Sequence, residues 1–365
     1  QVNQAESLDR LRLARTDGVG PVTYRRLLRR YASAAEALDA LPGLARAGGK
    51  AEPPSTPSAS VAKREMDQLG KLGGRMVFLD GPGYPPALAA FDPAPPLLSV
   101  LGNAALLLDR AVALVGARNA SINGQRMAEL LAADLATAGL VVVSGMARGI
   151  DAAAHEGALR TGRTIAAIAG GVDVTYPPEN ADLQRRVAEG GAVVAEAPLG
   201  TAPQARHFPR RNRVIAGLSL GVVVIEAAPK SGSLITAQIA LDEGRAVFAV
   251  PGSPLDPRCR GSNNLLREGA TLTESAADVT ANLPQAVQPV APLGFAEEVP
   301  GYDAPLDLRA VVAQVAVLLS ASPTPVDELV RRCQLSVHAV QAALMALELN
   351  HRVQMLPGNQ VSLIG

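Results

Sequence analysis

The sequence predicts an α/β protein centred on a Rossmann-like, doubly wound, mostly parallel sheet, flanked by a small helical domain and a C-terminal winged-helix-like domain. Three observations predict it. Short Val-, Ile- and Ala-rich runs alternate with amphipathic stretches through the centre of the chain, as expected of strands buried on both faces and joined by crossover helices. Each run ends in a polar or glycine-rich turn. Composition changes abruptly at two places, cutting the 365 residues into three parts, which suits a chain of this length.

In chain order, residues 16–31 (TDGVGPVTYRRLLRRY) hold a Gly-Val-Gly hairpin and then Arg25, Arg26, Arg29 and Arg30 in i,i+4 pairs. This stripe suits half of a helix-hairpin-helix or SAM-like module, whose hairpin amides can meet a DNA backbone, and it equally suits a solvated helix face. Residues 45–62 lack an apolar period and residues 284–305 carry five prolines, so both read as linkers. The parts are a helical domain over 1–75, containing the first linker, a Rossmann-like domain over 76–283, and a winged-helix-like domain over 306–365. Central strands are expected at 111–115, 141–143, 164–169, 192–195, 221–225 and 246–250, with a last short one ending at Leu272. Helical patterns such as 124–138 and 233–243 lie between them, with Leu234, Ile235, Ile239 and Leu241 expected in the core. The last part reads as helices over 308–319, 326–333 and 336–349 and a hairpin about Pro357-Gly358-Asn359, the order of a winged helix. Its third helix holds no Lys or Arg, which argues against sequence-specific duplex reading and leaves a protein-contact role open.

The formal charge is +0, so any polyanion site must be a local cluster of Arg and Lys. Cys259 and Cys333 match no zinc or redox spacing, so no metal or cofactor is expected. No apolar run reaches the roughly 18 residues of a membrane span and there is no secretory pattern, so a cytoplasmic protein is expected.

The strand-end turns carry the chemistry. VGARNAS (115–121) offers one glycine, free amides at a helix start, and Arg118, the makings of a phosphate site. SGMARGID (144–151) adds the Ser144 hydroxyl, the unhindered Gly145 backbone and Arg148. Asp151 and His155 share a helix face at i,i+4. With no third ligand at recognisable spacing, an Asp–His hydrogen bond steadying the turn is favoured over a metal pair. RHFPRRNRVIAGLS (206–219) is the most informative stretch: Arg206, Arg210, Arg211 and Arg213 surround Phe208 in a chain with five Phe and no Trp. Such clusters suit single strands, because cations track phosphates and a ring stacks an unpaired base for about 1–3 kcal/mol. Pro209 is expected to fix the turn, and Asn212 to cap the following helix or bond a base edge.

Taken in order, YPPAL, VGAR, SGMARGIDAAAH, GRTIA, YPPEN, FPRRNRVIAGLS, VIEA with SGSLITA, GRAVFAVPG and GSNNLLREGA resemble the DprA/Smf family of DNA-processing proteins. The resemblance implies a non-enzymatic single-stranded DNA binder that protects incoming DNA in natural transformation. It also implies loading of RecA recombinase onto strands coated by single-strand-binding protein, and a homodimer. Carried over by position, it implies DNA contacts at Arg118, Ser144, Gly145, Arg148, Phe208, Arg210, Arg211, Asn212 and Arg213; Arg148 and Arg210 fall where the family varies. A dimer or RecA surface is implied at Leu265 and Leu266, and duplex DNA at the end domains stays open. Two other readings remain. One is a nucleotide-processing enzyme of phosphoribohydrolase type, with Glu196 and Glu226 as the carboxylates to test, although its PGGxGTxxE signature is absent. The other is a scaffold that binds partners through its end domains.

Overall fold

The computed structural model describes residues 4–49, 52–91, 93–286, 307–356 and 358–364. They fall into two units, residues 1–64 with 291–365, and residues 65–290. The first unit begins with α1 (Gln4–Ala14), α2 (Pro21–Arg30) and α3 (Ala34–Ala47). Pro21 opens α2 where no amide hydrogen is needed, and the Ser33 hydroxyl caps α3 by accepting from the Glu36 amide at 3.2 Å. The first expected linker is shorter than its composition suggests. Residues 45–47 finish α3, and 59–62 already belong to α4 (Ala59–Lys71), started by the Ser58 hydroxyl accepting from Val61 at 3.3 Å. The second linker lies outside the described residues from 287 onward.

The central unit contains β1 (Arg75–Phe78), α5 (Pro86–Ala89), β2 (Leu97–Gly102), β3 (Ala111–Gly116), α6 (Ile122–Thr137), β4 (Val141–Ser144), α7 (Ile150–Ala158), β5 (Thr164–Ala167), α8 (Ala181–Gly190), β6 (Ala192–Ala195), α9 (His207–Leu218), β7 (Gly221–Ile225), α10 (Gly232–Asp242), β8 (Ala246–Ala249), α11 (Arg260–Arg267), β9 (Thr271–Leu272) and α12 (Ala276–Asn282). The strands form one nine-stranded sheet in the order β1-β2-β6-β5-β4-β3-β7-β8-β9. Every pair from β6 to β9 is parallel, while β1 and β2 add an antiparallel edge that the sequence reading did not anticipate. On one side, Val112, Leu114, Val142 and Phe248 pack with Leu131, Leu135, Ile150 and Ala154. Ile235 and Leu241 are about half exposed rather than core, at 49% and 47%. The inward face of α10 is taken instead by small residues, Ser233, Thr236, Ala237 and Ala240.

The first unit resumes with α13 (Leu308–Leu318), β10 (Thr324–Pro325), α14 (Val326–Cys333), α15 (Val337–Leu349), β11 (Val353–Leu356) and β12 (Gln360–Leu363). Strands β11 and β12 pair antiparallel across a turn in which Gly358 and Asn359 take positive φ; Pro357 lies outside the described residues. Three helices and a three-stranded sheet enclose a core of Val312, Val315, Leu329, Val340, Leu344 and Val353, a winged helix. No helix among the described residues is long and apolar enough to cross a membrane.

Candidate nucleic-acid interface

Chain order reverses at β3, which lies between β4 and β7. In open α/β sheets the crevice at such a switch point, beyond the carboxyl ends of the strands, is the place for a ligand. Here the turns after β3, β4 and β5 and the start of α9 line an open crevice. Its lining includes Arg118, Gly145, Arg148, Gly170, Tyr176, Phe208 and Arg211. Five of the residues expected at a DNA site therefore meet in one place.

Arg211 forms the floor. Only 8% of it is exposed, and its guanidinium donates to the Gly145 carbonyl and, at 3.4 Å, to that of Ala167, while its Nε–H finds no partner among the described residues. Burial pulls its pKa down, and the nearby Asp151 charge opposes that pull. Asp151 in turn accepts from the Gly145 and Ala147 amides at 3.2 and 3.3 Å. Burial pushes its carboxyl up, against Arg211 and those two amides. A Cβ at Gly145 would displace the Arg211 guanidinium and the Asp151 carboxylate from this arrangement. Gly149, at φ +75°, lets the turn pass against the Ala117 and Arg118 carbonyls, where a side chain would clash. The expected Asp151–His155 hydrogen bond does not form. His155 turns into the core and its Nδ1 lies 2.8 Å from the Thr164 hydroxyl, because the Asp151 oxygen is already held by the turn amides.

Phe208 stands above Arg211. The Arg118 and Arg211 guanidinium carbons lie 5.4 and 5.6 Å from its ring centroid, within cation–π range. Tyr176, 46% exposed, meets the same ring edge-on at 6.0 Å. At the rim Arg148 pairs with Glu179 at 3.0 Å, and Asn180 donates to the Met146 carbonyl at 2.8 Å, pinning the β4 turn. Tyr176, Glu179 and Asn180 belong to the YPPEN motif, to which the sequence reading gave no site role. The signal that could have found Tyr176 is the scarcity of aromatics, 3% of the chain.

Other expected site residues are engaged elsewhere. Ser144 is fully buried and its hydroxyl donates to the Leu114 carbonyl at 2.6 Å, so it braces β4 against β3 and offers nothing to the crevice. Helix α9 begins at His207, before Pro209, so Asn212 is not a cap; it lies inside the helix and donates to the Gly232 carbonyl at 3.4 Å. Arg213 donates to the Pro93 carbonyl and covers the Phe91 ring. Arg210 is exposed and lies outside the crevice lining. Leu265 is buried and Leu266 half-buried on α11. The start of α6, expected to hold phosphate, is occupied by the chain's own Glu226, whose carboxylate accepts from the Ser121 amide at 2.8 Å and from the Ser121 hydroxyl. Glu226, Asp256 and Cys259 place ligand atoms within 4.8 Å of one another, but Ser121 engages the first carboxylate and Arg258, at 2.7 Å, the second.

Fold and crevice define an α/β protein with a cationic, aromatic-lined cleft at the switch point of its sheet. The chain belongs to the DNA recombination-mediator protein A family, whose model matches residues 75–284. A DprA-like N-terminal HHH domain matches residues 4–67 and a DprA winged helix domain residues 300–359. Protein Smf of Escherichia coli (strain K12) is 39% identical over 288 residues, covering 78% of this chain and 76% of that protein. The DNA processing protein DprA of Streptococcus pneumoniae is 47% identical over 199 residues, covering 54% and 70%. The X-ray structure of DNA processing protein A from Streptococcus pneumoniae superposes with a TM-score of 0.67 at 35% identity, over 78% of this chain and 99% of that one. DNA processing protein A from Helicobacter pylori, a structure concerned with that protein's single-stranded DNA binding mode, gives 0.53 at 28% identity, over 57% and 95%. The chain accordingly has a DNA-processing, recombination-mediator role.

Proposed function

We propose that the chain binds single-stranded DNA in the crevice of Arg118, Arg148, Tyr176, Phe208 and Arg211. In this reading it acts as a homodimer, catalyses no reaction, and passes the strand to RecA recombinase where single-strand-binding protein coats it. The observation that carries the reading is the seating of two guanidinium groups, from Arg118 and Arg211, on the one Phe208 ring beside an exposed Tyr176. Rings stack unpaired bases whatever their identity, and guanidinium groups hold phosphate oxygens. The partnerless Arg211 Nε–H is a donor waiting in a buried place, and the single-stranded DNA binding of the Helicobacter pylori relative supports the same ligand. Arg210, on the surface of the same helix, extends the track. Ser144, Asn212 and Arg213 serve the site by holding its frame.

Fluorescence anisotropy of a labelled oligonucleotide across several salt concentrations tests this. Each phosphate neutralised on a single strand contributes about −0.7 to the slope of log K against log salt. Arg118→Glu is expected to flatten the slope by about that amount. Phe208→Ala is expected to weaken binding by about tenfold or more at unchanged slope, in line with the loss of one stacked base. Wild-type protein that leaves the oligonucleotide free would end this reading. For the RecA step, the wild type should shorten the lag of RecA assembly on coated strands, and Phe208→Ala should not.

A further inference from the structure

A winged helix that reads duplex DNA lays its third helix in the major groove. In this chain that helix, α15, has two apolar faces. Val340, Ala343, Leu344 and Leu347 enter the winged-helix core. Ala342, Met345 and Leu349, spaced i, i+3 and i+7, are as deeply buried, at 1%, 2% and 0% exposure, yet stand outside that core cluster. What covers them is the N-terminal helical domain of the same chain, although residues 65–290 separate the two pieces in sequence. Helix α15 packs along α3. Gly48 at the end of α3 leaves no room for a Cβ against the Ala346 carbonyl and the Asn350 amide, and Gly18 of the hairpin abuts the Leu349 backbone. Polar bonds fix the register: the Thr23 hydroxyl donates to the Glu348 carboxylate, and Asn350 Nδ2 donates to the Ala45 carbonyl at 3.2 Å. From the wing side, Arg26 reaches Asn359 Oδ1 at 3.5 Å.

We propose that α15 is a protein-docking helix whose partner is the N-terminal helical domain of this chain, so that the two end domains clasp each other and neither offers its nucleic-acid face to duplex DNA. On the hairpin side, it is Gly18 that meets α15, at the Leu349 backbone, while the Asp17 and Val19 amides are used within the N-terminal domain, donating to the Ser55 and Thr16 carbonyls at 3.0 and 3.1 Å. The absence of Lys and Arg from α15 fits the clasp, since a charge on the covered side must be desolvated or held by a partner, as the Glu348 carboxylate is held by Thr23. Its small residues, Ala342 and Ala346, are what allow α3 to come close.

Hydrogen exchange of the full-length protein and two variants, one on each side of the contact, tests it. Met345→Glu is expected to speed exchange of the α3 amides at least tenfold while α13 and the central sheet keep their protection. Gly48→Leu, made on the opposite surface, is expected to do the same to the amides at the C-terminal end of α15. If Met345→Glu unfolds the winged helix itself, Gly48→Leu still decides, because it alters no residue of that domain. Full protection of α15 in Gly48→Leu would overturn the clasp. So would wild-type protein that binds duplex DNA and loses more than tenfold in affinity on His338→Glu, at the exposed start of α15, because the helix would then be reading a groove.

Discussion

His155 is wholly buried, with Nδ1 on the Thr164 hydroxyl and Nε2 without a partner among the described residues. Burial first, and the charge of Arg211 second, push its pKa from 6.5 down to about 3. Between those values the unfolded chain takes up a proton that the folded chain refuses. Stability from this group is therefore complete above pH 6.5 and drains away as the pH falls toward 3, at about 1.4 kcal/mol per pH unit. Urea unfolding at pH 7, 6 and 5 should show that slope, and His155→Gln, which keeps a partner for Thr164 but cannot titrate, should flatten it. A variant with the wild-type slope would mean that the imidazole titrates normally. Arg148 is governed by exposure instead. Its ion pair with Glu179 joins side chains 64% and 48% exposed, so it adds little to stability. Glu179→Gln should free Arg148 for phosphate and tighten single-strand binding about two- to fivefold at low salt, with no change in melting temperature. Unchanged affinity would remove Arg148 from the proposed site.

Helix α9 is the element on which frame and site divide. Phe208 and Arg211, one turn apart, share its crevice-facing side, whereas Arg213 leaves on another side to cover Phe91 and bond the Pro93 carbonyl. Arg213→Ala is thus expected to lower unfolding free energy by about 1.5–3 kcal/mol, the range for a charged hydrogen bond, while shifting single-strand affinity less than twofold. A large affinity loss at unchanged stability would instead put Arg213 on the strand. In sequence these arginines look alike; only the helix start at His207, ahead of Pro209, sorts them by face. The parallel strands were legible because burial on both faces writes an unbroken apolar run. Strand β1 was not, being four residues long with an exposed Arg75, and β2 gains its place only by pairing with β6, far along the chain. Arg118, Gly145 and Arg148 were legible because each follows a strand directly. Tyr176 and Glu179 come from the long connection between β5 and α8, and only tertiary folding carries them to the crevice.

For the molecule as a whole, the proposed homodimer requires a self-complementary surface. The outward stripe of α10, formed by half-buried Leu234 and exposed Gln238 and Leu241 at i, i+4 and i+7, leaves apolar surface in contact with water. Beside it α11 contributes Leu265 to a shared groove that also carries Lys230, Arg267 and Glu268. Apolar area rimmed by charge marks a contact surface. A two-fold pairing of this groove with its own copy would set charges of both signs across the axis, as a self-complementary interface requires. Light scattering should then give twice 37.6 kDa for the wild type. Leu241→Glu, at a residue 47% exposed where a substitution changes stability by only about 0.5 kcal/mol, should give a single chain. The functional consequence follows from tethering. A short oligonucleotide engages one crevice and should bind wild type and variant equally, whereas a strand long enough for two crevices should lose about a hundredfold in the variant. A wild type that runs as a single chain would dismiss the dimer. A variant that stays paired would keep the dimer and move its interface away from α10.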